Sequence, residues 1–268
     1  MTVSSYGAIG ILDSGVGGLT VFQEIASLLP HEKIIYFGDT ARMPYGPRAD
    51  EEVRSFALQI IDFLQSQEIK MVVVACNTAT AAGLPFYREH CDIPVMGVIE
   101  PGVRAALAYS GSGRIGVIGT AGTIRSSAYE KALLDAQPGL SIVARPCPLF
   151  VLLVENDLVE TPEAEKVALE YLAPFKETAI DTLILGCTHY PLMSDLIQRT
   201  VGPGVRLVNS AEEIARDVKA VLTGQQLHNP IQCSNPGYRF FVSGNPHSFE
   251  EVAAKMLRRQ IKAYQLIF

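Results

Sequence analysis

Two cysteines stand in matching places along the chain. Cys76 closes the aliphatic run Val72-Val73-Val74-Ala75 and precedes Asn77-Thr78, while Cys187 closes Leu183-Ile184-Leu185-Gly186 and precedes Thr188-His189. A thiol ordinarily titrates near ~8.5, and a helix N-terminus lowers that value by favouring the thiolate. Both polar dipeptides read as helix starts. Two thiols on opposite faces of a bound molecule, one ionised and one protonated, suit removal of a proton from one side and its return on the other, which inverts a stereocentre. A single cysteine nucleophile would instead use a nearby histidine and an oxyanion hole. His189 is close to Cys187, but the matching Cys76 then has no part. Cys91, Cys147 and Cys233 lack this setting and read as small buried hydrophobes.

Other groups could assist. The turn Asp13-Ser14-Gly15-Val16-Gly17-Gly18 follows the first aliphatic run, yet Thr20 stands where a dinucleotide loop needs its last glycine. Its backbone N–H groups at a helix start still suit a carboxylate or phosphate, with an unliganded turn as the alternative. Gly111 to Gly116 has the glycine spacing but leads from a helix into a strand, the reverse of what a nucleotide fold requires. Asp13 reads as a helix cap or a catalytic carboxylate, and His189 as a structural or a catalytic imidazole. Glu155, after the apolar run Leu149–Val154, reads as a solvated helix-end charge unless a cleft reaches it. The five histidines are scattered and no GxxxxGK[ST] or HExxH motif occurs, so neither metal nor cofactor is expected.

The elements that must position these groups follow from patterning. Short aliphatic runs alternate with segments of helical period, which predicts an α/β fold with mostly parallel strands. Strands are expected at 9–13, 34–38, 71–75, 95–99, 115–119, 141–145, 182–186, 205–209 and 238–243. Helices are expected at 18–29, 50–66, 123–136, 162–176, 211–222 and from 249 to about 264. The chain also repeats itself: Ile9-Gly10-Ile11-Leu12-Asp13-Ser14 resembles Ile115-Gly116-Val117-Ile118-Gly119-Thr120, and the two cysteine segments follow in the same order. This predicts two pseudo-symmetric three-layer α/β lobes. Ligands of open α/β sheets sit beyond the carboxyl ends of the strands, where both cysteines lie, so one thiol comes from each wall of a shared cleft.

The whole chain sets limits. At 268 residues, 48% hydrophobic and 19% charged, it folds throughout. Its net charge of −6, with no basic run longer than Arg258-Arg259, argues against nucleic acid. The start of the chain has no secretory pattern and no apolar run reaches membrane-spanning length, so a cytoplasmic protein with free thiols is expected.

Taken together, Asp13 to Thr20, Asp39 to Gly46 ending in Pro44-Tyr45-Gly46, Ala75-Cys76-Asn77-Thr78-Ala79 and Gly186-Cys187-Thr188-His189-Tyr190-Pro191 resemble the glutamate racemases of the aspartate/glutamate racemase superfamily. His189 separates these from the aspartate enzymes, which typically carry Glu there. The resemblance implies cofactor-independent interconversion of L- and D-glutamate, supplying D-glutamate for peptidoglycan. It implies that Cys76 takes the α-proton of D-glutamate and Cys187 that of L-glutamate, with Asp13, His189 and Glu155 assisting. Implied substrate contacts are Asp13, Ser14, Tyr45, Gly46, Asn77, Thr78, Thr120, Thr188 and His189. It further implies a first lobe of residues 1–98 and 208–268, an inserted second lobe of 99–207, and a homodimer. The short lead before the first strand gives the expectation that activation by a peptidoglycan precursor is absent. The competing readings are a racemase for another amino acid, an isomerase with one nucleophilic cysteine, and a binding module that closes over an amino acid without inverting it.

Overall fold

The computed structural model describes residues 4–232 and 236–268; Cys233 and Asn235 lie outside the described residues. The chain opens with β1 (Ala8–Asp13), α1 (Leu19–Leu28), β2 (Ile34–Gly38), α2 (Asp50–Gln65), β3 (Ile69–Val74), α3 (Asn77–His90) and β4 (Val95–Gly97). It continues with α4 (Ile99–Tyr109), β5 (Arg114–Gly119), α5 (Ala121–Arg125), α6 (Ala128–Ala136), β6 (Ser141–Pro146), α7 (Pro148–Glu155), α8 (Pro162–Glu177) and β7 (Thr182–Gly186). After a 3₁₀ turn at Tyr190–Met193 come α9 (Ser194–Val201), β8 (Arg206–Val208), α10 (Ser210–Gly224), β9 (Arg239–Val242), α11 (Pro246–Leu257) and β10 (Ala263–Gln265).

Two sheets result, one in the order β10-β9-β2-β1-β3-β4 and the other β6-β5-β7-β8. Every strand pairing among the described residues is parallel. β1 and β7 are buried at every position, as strands covered on both faces must be. Ile9 and Ile11 of β1 pack with Leu19, Phe22 and Ile214 on one face, while Leu12 joins Phe37, Val72 and Val74 on the other. That alternation follows the two-residue period of a strand. The run β2-β1-β3-β4 has the same order as β6-β5-β7-β8, so the internal repeat of the sequence is a repeat of topology.

In each sheet the chain passes to opposite sides of a central strand, β1 or β5. The crevice where loops part in this way is where α/β sheets take ligands. Asp13 and Cys76 follow β1 and β3, and Thr120 and Cys187 follow β5 and β7.

Several elements differ from the sequence expectation. The terminal helix stops at Leu257, because Arg258 adopts a left-handed φ of 51°, and the chain turns to lay β10 along β9. The helix expected at 123–136 breaks at Ser127, with φ 54°, into α5 and α6. The strand expected at 95–99 ends at Gly97, since Val98 is already helical and caps α4. Helices α3, α4, α7 and α9 had no bounds among the expected ranges, although a helix start at Asn77, a helix before Gly111 and a helix end at Glu155 were read; α3 carries Gly83 and Pro85 within it, which blur helical patterning.

Candidate active site

Cys76 is the N-cap of α3, and its sulfur accepts the Ala79 N–H at 3.5 Å. Sγ also lies 3.7 Å from Ser14 Oγ. The expectation that this helix start lowers the thiol is overturned. Burial pushes Cys76 up to about 12, the Asp13 carboxylate adds to the push, and the Ala79 amide and Ser14 hydroxyl offset only part of it. Desolvation of the charged form outweighs one long hydrogen bond and the helix end.

Cys187 sits differently, because the chain after it forms only the 3₁₀ turn, with His189 as its cap. His189 Nδ1 is 3.8 Å from Cys187 Sγ, and Nε2 is 2.5 Å from Glu155 Oε1 at the end of α7. Burial opposes a charge on this imidazole, but the hydrogen bonds to Cys187 and Glu155 and their attraction prevail and push it up to about 10. A protonated imidazole donates from both nitrogens, Nε2 to the Glu155 carboxylate and Nδ1 toward the Cys187 sulfur. Glu155 is thus a partner of His189 and not a solvated helix end.

Asp13 is fully buried and holds its own turn together. Its Oδ2 accepts the N–H groups of Gly15 and Gly18 at 3.0 Å each, and Oδ1 receives the Thr188 hydroxyl at 3.3 Å. Burial raises its pKa, against the His189 charge and these hydrogen bonds. Two of the backbone donors expected to face an anion are therefore taken up by Asp13 itself. Gly17 has a steric reason: a Cβ there would stand 2.6 Å from His189 Nδ1, so only glycine lets this turn approach the Cys187 segment.

One small cavity of about 20 Å³ collects the groups from both sheets. Cys76, Asn77, Thr78, Ser14, Tyr45 and Gly46 line one wall, and Cys187, Thr188, His189 and Thr120 the other, with Met43, Pro44 and Val151 added. Asp13 and Glu155 stand behind this lining, against Thr188 and His189. The walls are bonded to each other: Thr78 Oγ1 meets Thr120 Oγ1 at 2.8 Å and Thr123 Oγ1 at 3.3 Å. The amide nitrogen of Asn77 is buried without a hydrogen-bond partner.

Sequence reasoning missed what holds Tyr45. Its hydroxyl donates to Asp39, a fully buried carboxylate that also accepts Arg42 Nε at 2.7 Å and the Ser243 hydroxyl at 2.6 Å. Tyr45 therefore brings its ring and backbone to the cavity, with its hydroxyl already engaged. Asp39 and Arg42 carried a signal, as a charged pair within a segment already noted for Pro44-Tyr45-Gly46; Ser243, some 200 residues away, carried none.

Among the described residues no three His, Cys, Asp or Glu side chains are placed to share an ion, and no helix is long and apolar enough to cross a membrane.

Known proteins place this arrangement in context. A family profile described as Asp/Glu/Hydantoin racemase matches residues 9–218. A glutamate racemase of Geobacter metallireducens is 50% identical over 250 residues, which cover 93% of this chain and 92% of that one. A glutamate racemase isoform of Bacillus anthracis superposes with a TM-score of 0.93 at 44% identity over 98% of each chain. A Francisella tularensis glutamate racemase, solved in complex with D-glutamate, gives 0.91 at 36% identity, again over 98% of each. With this similarity running through nearly its whole length, the chain belongs to the Asp/Glu/hydantoin racemase family, in its glutamate racemase group.

Proposed function

We propose that the protein interconverts L- and D-glutamate by acid/base exchange between Cys76 and Cys187, without a cofactor. The observation that carries this reading is that the two thiols stand at equivalent strand ends, line one cavity and have unequal surroundings. Cys76, pushed up to about 12, is the proton donor of the resting arrangement. Cys187, whose sulfur lies 3.8 Å from the His189 ring that Glu155 holds charged, is the base toward L-glutamate in this reading.

From L-glutamate, Cys187 Sγ takes the α-proton and the electron pair stays on the α-carbon, delocalised into the carboxylate. The Cys76 thiol then delivers its proton to the opposite face. D-glutamate leaves behind a Cys76 thiolate and a Cys187 thiol, the arrangement that the reverse reaction needs. Glu155 holds the charge on His189, and Asp13 fixes Thr188 and the glycine turn beside the cavity. The unpartnered Asn77 amide and the hydroxyls of Ser14, Thr78, Thr120 and Thr188, with the backbone of Tyr45 and Gly46, supply contacts for ammonium and carboxylates.

Glutamate is favoured over aspartate by the relatives' names and by His189 next to Cys187. The lobes in this reading divide at about residues 98 and 208, in keeping with the strands of the two sheets. Supply of D-glutamate to peptidoglycan, a cytoplasmic setting and a homodimer belong to the same reading, on the strength of the family.

The test is circular dichroism of L-glutamate and L-aspartate incubated with the protein and with its Cys76→Ala and Cys187→Ala variants. The signal of L-glutamate should decay to zero while that of L-aspartate persists, and each variant should lose about 10²–10⁴-fold in rate. Inversion of aspartate alone, or near-normal rates in either variant, would overturn the proposal.

A further inference from the structure

His189 and Tyr190 are neighbours in sequence, yet they reach opposite ends of α7. His189 Nε2 meets Oε1 of Glu155, the last residue of the helix, at 2.5 Å. The Tyr190 hydroxyl donates at 2.8 Å to the carbonyl oxygen of Cys147, the N-cap of the same helix. A helix of eight residues is about 12 Å long. Two adjacent side chains therefore clasp the whole of α7.

The hydroxyl contact has one sense, because a carbonyl only accepts. Tyr190 is fully buried, and burial together with the nearby Cys187 pushes its phenol well above the ordinary range, so the hydrogen stays on the ring oxygen. Both partners are fixed from behind. The Tyr190 N–H donates to the Cys187 carbonyl at 3.1 Å, and the Cys147 N–H donates to that of Gly119, at the end of β5, at 2.8 Å. The Phe150 ring, in the first turn of α7, meets the Tyr190 ring edge-on with centroids 5.4 Å apart. Phe150, Val151 and Leu153 are buried, whereas Leu149 and Leu152 are exposed, so α7 is seated along one side only. The charged or titratable groups facing His189 are Cys187 on its own turn, Glu155 from α7 and Asp13 from the end of β1. Of these, Glu155 is the one whose place depends on where α7 lies.

We propose that Tyr190 is a positioning residue, whose hydroxyl ties the capped end of α7 to the turn after Cys187 and so seats the helix that brings Glu155 against His189, beside the Cys187 thiol. Its part in turnover rests on reading the cavity as the glutamate racemase site.

Tyr190→Phe keeps the ring and removes the tie. Glutamate turnover by the unaltered protein is measured first, and its absence removes the reading of the cavity itself. The tie is decided separately, by the titration of the His189 ring followed by NMR in protein carrying isotope-labelled histidine, with the signal assigned by its loss in His189→Gln. In Tyr190→Phe the ring should lose its proton at lower pH, because Glu155 holds the charge less closely. In an active protein the alkaline limb of kcat/KM should move toward neutrality with it, by up to about 0.7 of a pH unit, the shift that one neutral hydrogen bond can drive. Glu155→Gln should move both further, and adding Tyr190→Phe to it should move neither again, since the tie acts through that carboxylate. A ring titration that stays in place in folded Tyr190→Phe, even with a lower melting temperature, would overturn the proposal, as would a further shift in the double variant. If Tyr190→Phe does not fold, Phe150→Leu, which loosens the Tyr190 ring against the helix, decides by the same titration: a lower value supports the tie and an unmoved one overturns it.

Discussion

Cys76 and Cys187 share a sequence setting yet meet opposite electrostatics. Cys76 is desolvated beside the Asp13 carboxylate, whereas Cys187 faces an imidazole held protonated by Glu155. Replacing Glu155 by Gln tests the second half. The His189 value, pushed from 6.5 up to about 10, should fall once the carboxylate is gone. Since the raised value lies above the ordinary one, the stabilisation from the charged His189 is complete below about pH 6.5 and is lost as pH rises through about 10. Glu155→Gln should therefore move the alkaline limb of kcat/KM for L-glutamate toward neutrality and shrink the pH dependence of the melting temperature over that window. An unmoved limb would show that Glu155 does not hold the imidazolium. The cysteines were legible because each ends an aliphatic run and precedes polar residues. Glu155 was legible only through the family resemblance, as its partner lies 34 residues away and depends on α7 meeting the turn after Cys187. The hydrogen bonds from Gly15 and Gly18 agree with the cap reading of Asp13, which the sequence offered beside a catalytic one, and they take two of the turn's backbone donors.

The segment from Asp39 to Gly46 reaches the cavity only because it is anchored at its root. Asp39 joins Arg42, Tyr45 and Ser243, while the Arg42 guanidinium lies 4.1 Å from the Phe56 ring centre and 5.1 Å from that of Phe268. Asp39→Ala would strand Arg42 and two hydroxyls. Breaking a buried pair in this way costs about 3 kcal/mol, so the melting temperature should fall and KM should rise as Tyr45 and Gly46 loosen. Unchanged melting and KM would mean that the segment is held by other contacts. Strands were the most legible elements, since parallel strands buried on both faces are continuous aliphatic runs. Helix ends were less so: nothing in the Arg258-Arg259 pair announces a left-handed residue, and β10 forms because Ala263 finds a place beside β9, with its N–H on Glu250.

Across the molecule, two copies of one strand order face each other, and the space between their thiols is about 20 Å³. A cavity of that size holds about one water, so the proposed turnover of glutamate predicts that the walls part on binding. Thr78 and Thr120, with hydroxyls 2.8 Å apart, bridge them. A double variant with Thr78→Cys and Thr120→Cys should form a disulfide that stops turnover, with activity recovering on reduction; equal activity in both redox states would show that the walls need not separate. A roomier depression of about 540 Å³ runs along β9 and the segment before β10, but neither thiol lines it. The repeat was readable in the sequence, whereas how closely the halves approach depends on contacts such as Gly17 against His189 that appear only on folding. The paired-thiol reaction itself is tested most directly by following early turnover of L-glutamate in D₂O by mass spectrometry and NMR. With two thiols on opposite faces, the first D-glutamate formed carries one deuterium at the α-carbon, while the remaining L-glutamate keeps its proton. D-glutamate that retains the substrate's own α-proton would contradict the transfer between Cys187 and Cys76.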